Sequence, residues 1–268
     1  MINLRIMKTL IIIIFSFIST FLEAQTNGKY FLFNKDWSSM QDFDKATYFM
    51  QQVKEDDTTF TCRYYQKNGP MVRWETYLDS NMTIPNGLFA WYNKRGDLDS
   101  SGFTHRGRKN QTWQYGFKPD GSAITAEEYL NGRLVKRINY KTKIISYPSG
   151  NEEKLEDPKE NKNDVFKKAE FIDGGIDGWV KYVTENLKTP ERYISIAGPN
   201  SDGYVGVSFE INKMGKVNKI FLYHSAEWSA DNEAFRVLLN SPNWKPAEKN
   251  GEPTVYQFQQ KLTFRVGL

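Results

Sequence analysis

The chain has 268 residues, 39% of them hydrophobic and 25% charged, which is the composition of a soluble globular protein with one or two domains. Wholesale disorder and a membrane protein with many spans are thereby excluded. The net charge of +4 arises from 36 basic and 32 acidic residues and is too balanced to predict a nucleic-acid partner. One cysteine and two histidines leave little material for a metal or cofactor site, so neither is predicted.

The first 25 residues have the pattern of a secretory signal peptide. Arg5 and Lys8 supply a positive start, and a run of 14 uncharged residues follows from Thr9 to Leu22. A helix of that length rises about 21 Å, which is short of the roughly 30 Å hydrocarbon core of a bilayer. Residues 1–25 are therefore predicted to direct export to the periplasm, and an uncleaved anchor is the alternative.

The first half of the mature chain is predicted to consist of stacked β-hairpins. Gly96 and Gly121 are 25 residues apart, and the same spacing separates Gly107 from Gly132. Asn131-Gly132 is the dipeptide that a type I′ turn favours, because both central residues of that turn have a positive φ. Turns at a regular spacing, with aromatic strands between them, predict hairpins that each bury an aromatic face on the next.

These hairpins resemble the MORN-like repeats of secreted bacterial proteins. The residues that carry the resemblance are Asn86-Gly87-x-Phe89-x-x-Tyr92-x-x-x-Gly96, Gly107-x-x-x-x-x-Trp113-x-Tyr115, Asp120-Gly121 and Tyr129-x-Asn131-Gly132. Such repeats imply a scaffold or contact surface without chemistry of its own. Residues 26–147 are assigned to this β-rich domain.

A charged segment, residues 148–168, is predicted to link this domain to a second one. Nine of the 14 residues from Asn151 to Asp164 are charged, six acidic and three basic, and only Leu155 is apolar. Such a segment cannot bury enough surface to offset the entropy lost on ordering it. The prediction is therefore a linker between two halves, each with a small core of its own.

The rest of the chain has the pattern of a small α+β domain. Two amphipathic helices are predicted, at Asp177–Lys188 and at Asp231–Leu239. Asp177 is the expected N-cap of the first, and Ser229 or Asp231 that of the second. Three strands are predicted, at Tyr204–Asn212, Val217–Ser225 and Thr254–Val266.

This order of helix, two strands, helix and strand resembles the C-terminal domain of TonB-type energy transducers. The residues that carry the resemblance are Phe171 with Gly174-Gly175, Asn186-Leu187 before Pro190, Gly203-x-Val205-x-Val207-x-Phe209-x-Ile211, Gly215-x-Val217, Ser225, Asp231-x-Glu233-Ala234, Pro242-x-Trp244-x-Pro246, Gly251-x-Pro253-Thr254 and Thr263-Phe264. For residues 169–268 the resemblance implies two helices packed on a three-stranded antiparallel sheet.

The resemblance also implies binding rather than catalysis. In that family the domain lies in the periplasm and captures an extended segment of a TonB-dependent outer-membrane receptor as an added strand. A sheet edge suits this task, because its unpaired backbone N–H and C=O groups bind almost any extended partner. The final strand is the candidate edge. Its outward-facing residues are the predicted partner-binding residues, namely Val255, Gln257, Gln259, Lys261, Thr263 and Arg265.

Alternatives to receptor binding stay open. The predicted linker contains only two prolines, Pro148 and Pro158. It is therefore not the long proline-rich spacer of an energy transducer, and force transmission is not implied. One alternative is a secreted scaffold that acts through its MORN-like repeats, and a homodimer is compatible with either hypothesis. An enzyme would have to use Cys62 with His105, for which no third orienting group is identifiable. A non-catalytic protein is therefore predicted.

Overall fold

The computed structural model describes residues 28–118, 121–156 and 164–267. The predicted signal peptide, residues 1–25, lies outside the described residues. Within the described ranges, no helix is both long enough and apolar enough to cross a bilayer.

The first half of the chain forms one long antiparallel sheet. Its strands are β1 (Gly28–Phe33), β2 (Ser39–Met40), β3 (Tyr48–Asp56), β4 (Thr59–Gln66), β5 (Met71–Tyr77), β6 (Gly87–Tyr92), β7 (Leu98–His105), β8 (Arg108–Phe117), β9 (Ala123–Leu130), β10 (Arg133–Asn139), β11 (Ile144–Ser146) and β12 (Glu152–Lys154). From β3 to β12 each strand pairs with the next along the chain, whereas β1 pairs with β3 and carries β2 on its other side. The sheet is therefore a meander of successive hairpins.

The turn chemistry predicted at Asn131-Gly132 is confirmed. These two residues join β9 to β10 with φ angles of 52° and 86°. Arg106 and Gly107 join β7 to β8 in the same way, with φ angles of 46° and 79°. Both central residues of each turn thus have the positive φ that a type I′ turn requires.

The linker predicted for residues 148–168 is wrong near both of its ends. Glu152–Lys154 is a strand, and it extends the long sheet by pairing with β11. Phe166–Lys167 is a second short strand, β13, which pairs with Ala247–Lys249 in the second half of the chain. Charged side chains do not prevent this pairing, because an edge strand pairs through its backbone and leaves its side chains in water.

The second half consists of three helices around a small antiparallel sheet, with two shorter sheets beside it. The helices are α1 (Gly175–Asn186), α2 (Glu191–Ala197) and α3 (Trp228–Leu239). The main sheet has the order β16-β15-β20 and contains β15 (Asp202–Ile211), β16 (Val217–His224) and β20 (Tyr256–Arg265). The shorter sheets contain β14 (Glu170–Phe171) with β17 (Trp244–Lys245), and β13 with β18 (Ala247–Lys249) and β19 (Glu252–Thr254). A mixed, β-rich α+β fold is therefore confirmed.

The prediction of two helices in this half is wrong, because the described residues contain three. The additional helix, α2, begins directly after Pro190, which occupies its N-cap position. From the sequence, Pro190 indicates only the end of the preceding helix. Proline also suits the start of a helix, because the N–H that it lacks would have no partner there.

The predicted N-caps are also wrong. The first helix follows Gly174, whose φ is 97°, and Asp177 lies in its first turn without capping it. The N-cap of α3 is Glu227, whose carboxylate accepts a hydrogen bond from the backbone N–H of Ser229 at 2.7 Å. Glutamate is not among the residues that the capping preference favours, so the sequence does not indicate a cap at this position. The helix therefore begins at Trp228, before the predicted start at Asp231.

The main hydrophobic core is shared by the two halves, contrary to the prediction of a separate core in each, and two small clusters lie within the long sheet alone. On the long sheet its buried members are Phe49, Tyr65, Met71, Trp74, Ala90, Tyr92 and Leu98, and in the second half they include Trp179, Tyr193, Val205, Val207, Phe209, Phe235 and Phe264. The ring centroids of Trp74 and Phe235 are 5.8 Å apart, and the Tyr92 hydroxyl donates to the carbonyl of Leu222 at 2.8 Å. The physical reason is that a single layer of sheet can bury a face only against another element.

A buried polar cluster lies within this shared core. The Ser225 hydroxyl donates to the Asp231 carboxylate at 2.6 Å and accepts the backbone N–H of Met71 at 2.8 Å. Asp231 also accepts the backbone N–H of Ala226 at 3.1 Å. Burial raises the pKa of Asp231 to about 7, and the nearby Glu227 carboxylate adds to the effect, whereas the hydrogen bonds from Ser225 and Ala226 oppose it.

We expect Asp231 to lower the stability of the protein as the pH rises from about 4 to about 7. A carboxyl pKa raised above its unfolded value stabilises the fold while the group is protonated, and this contribution is lost as the pH passes the folded pKa. The free energy of unfolding is measured with urea at about pH 5 and about pH 8. Its fall between the two pH values should be roughly 2 kcal/mol smaller in Asp231→Asn than in the wild type. Asp177→Asn, at an exposed position of α1, is the control and should keep the wild-type profile. A D231N profile parallel to that of the wild type would contradict the prediction.

Candidate functional site

The last long strand, β20, lies at an edge of the main sheet in the second half. It pairs with β15 along all 10 of its residues without a shift of register. No described strand pairs with its other side. The strand therefore has one hydrogen-bonded neighbour and one open flank.

The side chains of β20 alternate between exposed and buried or half-buried, as the sequence predicts. Leu262 and Phe264 are buried in the shared core. The exposed residues include all six predicted partner-binding residues, Val255, Gln257, Gln259, Lys261, Thr263 and Arg265. Val255 lies between β19 and β20, however, so the continuous strand predicted for Thr254–Val266 is divided. The division arises because the chain first pairs with β18 through β19 and then with β15.

The odd-numbered residues of β20 also direct their backbone groups to the open flank. The Val266 N–H donates to the Ser201 carbonyl at 3.0 Å on the β15 side, so the even-numbered residues face β15. By the same alternation Arg265 faces outward, and there its carbonyl accepts the Thr189 hydroxyl at 3.1 Å. Within the described residues, this leaves an edge of about 20 Å for an added strand. Its outward backbone groups belong to Gln257, Gln259, Lys261 and Thr263.

The outward side chains of this edge contact the sheet rather than the open flank. The Gln257 amide donates to the Glu210 carboxylate at 2.9 Å. The Lys261 ammonium lies 4.6 Å from the ring centroid of Tyr204. Both contacts hold polar groups over the solvent-facing side of β15, so an incoming strand would meet mainly backbone at the edge itself.

The opposite edge of the same sheet, β16, is less suited to an added strand. Lys219 has a φ of 46°, and the pairing of β16 with β15 shifts register twice. The long sheet also covers the end of β16, because the Ser225 N–H donates to the Gly96 carbonyl at 2.9 Å. Beside it, the His224 Nδ1 lies 2.9 Å from the Asp97 carboxylate. An irregular and partly covered edge resists strand addition, so β20 is the regular edge of this sheet.

The residues of the enzymatic alternative are not placed as a reactive pair. Cys62 is fully buried on β4, and burial raises the pKa of its thiol to about 11. The Gln52 amide donates to its sulfur at 3.8 Å, whereas His105 is exposed at the end of β7. In the parts of the chain that the structure describes, no group of three or more His, Cys, Asp or Glu side chains is placed to hold a metal ion.

The open, regular edge of β20 presents unpaired backbone N–H and C=O groups. Residues 199–266 match the family model of the Gram-negative bacterial TonB protein C-terminal domain. The match includes all six predicted partner-binding residues and begins after α2, at residue 199. It supports a TonB C-terminal domain in this part of the chain and links the chain to TonB-dependent transport. Searches of curated proteins and of solved structures give no match.

Gly96 is the position where the docking of β16 on the long sheet is most easily tested. Its φ is 86°, and a Cβ atom there would lie 2.0 Å from the carbonyl oxygen of Ser225. We expect Gly96→Ala to lose about 1 kcal/mol through its positive φ and about 2 kcal/mol more through this overlap, measured by urea unfolding.

Gly150→Ala is the matched control for this substitution. Its φ of 89° is nearly the same, and no heavy atom lies within 4 Å of a Cβ built there. The control should therefore show the cost of the backbone conformation alone. Equal losses in the two variants would mean that the halves are not docked through this turn.

Proposed function

We propose that the chain is a non-catalytic periplasmic binding protein whose TonB C-terminal domain engages an extended segment of a TonB-dependent outer-membrane receptor. The segment adds to the β16-β15-β20 sheet as a fourth strand beside β20. The observation that carries this proposal is the open flank of β20, which keeps regular register over its whole length. The family match of residues 199–266 supports the class of partner.

Backbone pairing suits a partner that is recognised chiefly by being extended. Each of the four outward residues of β20 presents one N–H and one C=O, so a guest strand would gain up to about eight hydrogen bonds. The contacts at the two ends of the edge would fix the register of the guest strand. At one end Thr189 already occupies the carbonyl of Arg265, and at the other Phe166 lies beside Tyr256 with ring centroids 6.2 Å apart.

Periplasm-facing receptor segments, made as synthetic peptides of about ten residues, are the probes for this proposal. Binding to the full mature chain would be measured by titration calorimetry and by amide hydrogen exchange. We expect at least one peptide to bind saturably and to slow exchange at the backbone amides of Gln257, Gln259, Lys261 and Thr263.

A proline at an outward position tests the backbone mechanism directly. Thr263→Pro removes an N–H that faces the open flank without removing a hydrogen bond to β15, so the affinity for the peptide should fall about tenfold. Thr263→Ala keeps the N–H and should bind like the wild type. The proposal is wrong if T263P binds as tightly as T263A, or if the peptide protects amides elsewhere instead. Substitution is preferable to deletion of either half, because the halves share a core.

A scaffold function of the long sheet is the second candidate, and an exposed aromatic surface favours it. Phe31 and Trp37 are 37% and 38% exposed, and Trp37 stacks on Tyr48 at 4.2 Å between ring centroids. Phe31 and Leu32 are neighbours on β1, so their side chains point to opposite faces of the sheet. Because Leu32 packs on the shared core, Phe31 lies on the face turned away from the second half. A partner captured equally well by the wild type and by T263P would favour this function. That the hairpins of the long sheet are MORN-like repeats is part of this second proposal.

A further inference from the structure

A cleft of about 460 Å³ opens between the long sheet and α3. One wall is formed by β1, β3 and β4, and the other by residues of α3 that include Trp228 and Phe235. We name it the interface cleft. No residue of β20 lines it, so it is a separate feature from the open edge of that strand. Its volume lies in the range of ordinary small-molecule sites.

Arg63 of β4 lines the interface cleft in a fixed position. Its side chain is only 11% exposed. The guanidinium carbon lies 4.7 Å from the ring centroid of Trp74 and 4.3 Å from that of Phe235. Cation–π contacts on two rings restrict the plane of the guanidinium, so its N–H groups keep constant directions.

The guanidinium of Arg63 is incompletely paired within the described residues. Its Nε is buried without a hydrogen-bond partner. Its ion-pair partner is Glu55, whose carboxylate oxygen lies 3.6 Å from Nη2, beyond hydrogen-bond distance. A buried N–H without an acceptor is unfavourable, because the water that it loses on folding is not replaced. Arg63 is therefore prepared to receive an anion.

The other cations of the interface cleft are already paired. Arg236 forms two contacts of 2.7 Å with Glu233, and the Lys54 ammonium lies 2.9 Å from the Asp57 carboxylate. Glu55 is 43% exposed and can turn into water when an anion takes its place beside Arg63. Once Glu55 has turned away, the positive charge of Arg63 is available to a ligand.

The outer part of the interface cleft is aromatic. Tyr30 and Trp228 meet edge to face with ring centroids 6.1 Å apart, and Tyr30 is 49% exposed. The Trp228 indole N–H donates to the Gln51 side chain at 3.2 Å, which fixes the ring. The same two aromatic residues line a neighbouring apolar pocket of about 230 Å³. An apolar group therefore has a preformed surface next to the cation.

We propose that the interface cleft binds a small ligand with a carboxylate head and an apolar or aromatic body. The carboxylate pairs with the guanidinium fork of Arg63, because two parallel N–H groups match two carboxylate oxygens. The body packs on Tyr30 and Trp228. A peptide carboxyl terminus and a free organic acid share this chemistry, and they are distinguished by separate probes. The site is independent of the receptor-binding function proposed for β20.

Four probes test the site on the full mature chain: the tripeptide Gly-Gly-Phe, its C-terminal amide, 3-phenylpropanoate and inorganic phosphate. The readout is the indole N–H resonance of Trp228 in two-dimensional NMR spectra. We expect a saturable shift with Gly-Gly-Phe or with 3-phenylpropanoate, which shows whether the peptide or the free acid is preferred. The amide should bind about tenfold more weakly, because it lacks the charge that Arg63 recognises. Equal binding of acid and amide, binding of phosphate alone, or no saturation with any probe would overturn the proposal.

Substitutions separate recognition by Arg63 from a purely structural role. Arg63→Gln should lose about tenfold or more in affinity for the acid, and Arg63→Lys should lose less because it keeps the charge without the fork. Arg133→Gln, an equivalent change at an exposed position of β10, should bind like the wild type. Thr263→Pro should bind the acid normally, since it alters only the β20 edge.

The unfolding temperature of each variant shows whether it is folded. If R63Q does not fold, R63K and the comparison of acid with amide on the wild type decide the question. Acid binding that is unchanged in a folded Arg63 variant would mean that the residue only joins the two halves.

Discussion

One buried residue, Ser225, joins three parts of the molecule. Its N–H binds the Gly96 carbonyl on the long sheet, and its hydroxyl lies between the Met71 N–H and the Asp231 carboxylate of α3. This is possible only because residue 96 has no side chain, since a Cβ there would overlap the Ser225 carbonyl. The arrangement fixes α3 against β5, which pairs with β4, and so it helps to set both the shared core and the walls of the interface cleft. It also covers the end of β16, which leaves β20 as the regular edge of the sheet.

Local patterns in the sequence predict the parts of the fold that depend on local interactions. The alternation from Gln257 to Arg265 correctly separates exposed from buried side chains, and Asn131-Gly132 correctly indicates a two-residue turn. The open flank of β20 agrees with the predicted edge, whereas the binding of a partner there stays a prediction. The buried alternation of β15, at Val205 through Ile211, is equally plain in the sequence, because a strand with one buried face repeats every two residues.

The features that the sequence does not predict depend on long-range contacts. A charged segment such as Glu152–Lys154 is typical of a linker until a neighbouring strand offers it a backbone partner. Asp231 has the residue type of an N-cap but is drawn into the core by Ser225, while Glu227 takes the cap position. The unpaired Nε of Arg63 is invisible in sequence, because the guanidinium is held by two aromatic residues on different halves of the chain. A buried N–H with no acceptor is a signal that only the three-dimensional structure can give.

Nearly every pairing in the long sheet joins neighbours along the chain, whereas β20 must return across the sequence to lie beside β15. Contacts between chain neighbours close small loops and form fast. The amino-terminal half can therefore assemble one hairpin at a time while the polypeptide is still emerging from a ribosome or a translocation pore. When Ser225 emerges, the turn at Gly96 that receives it is already in place. The carboxyl-terminal half is thus completed on a finished template, and its exposed apolar surface is covered as it appears.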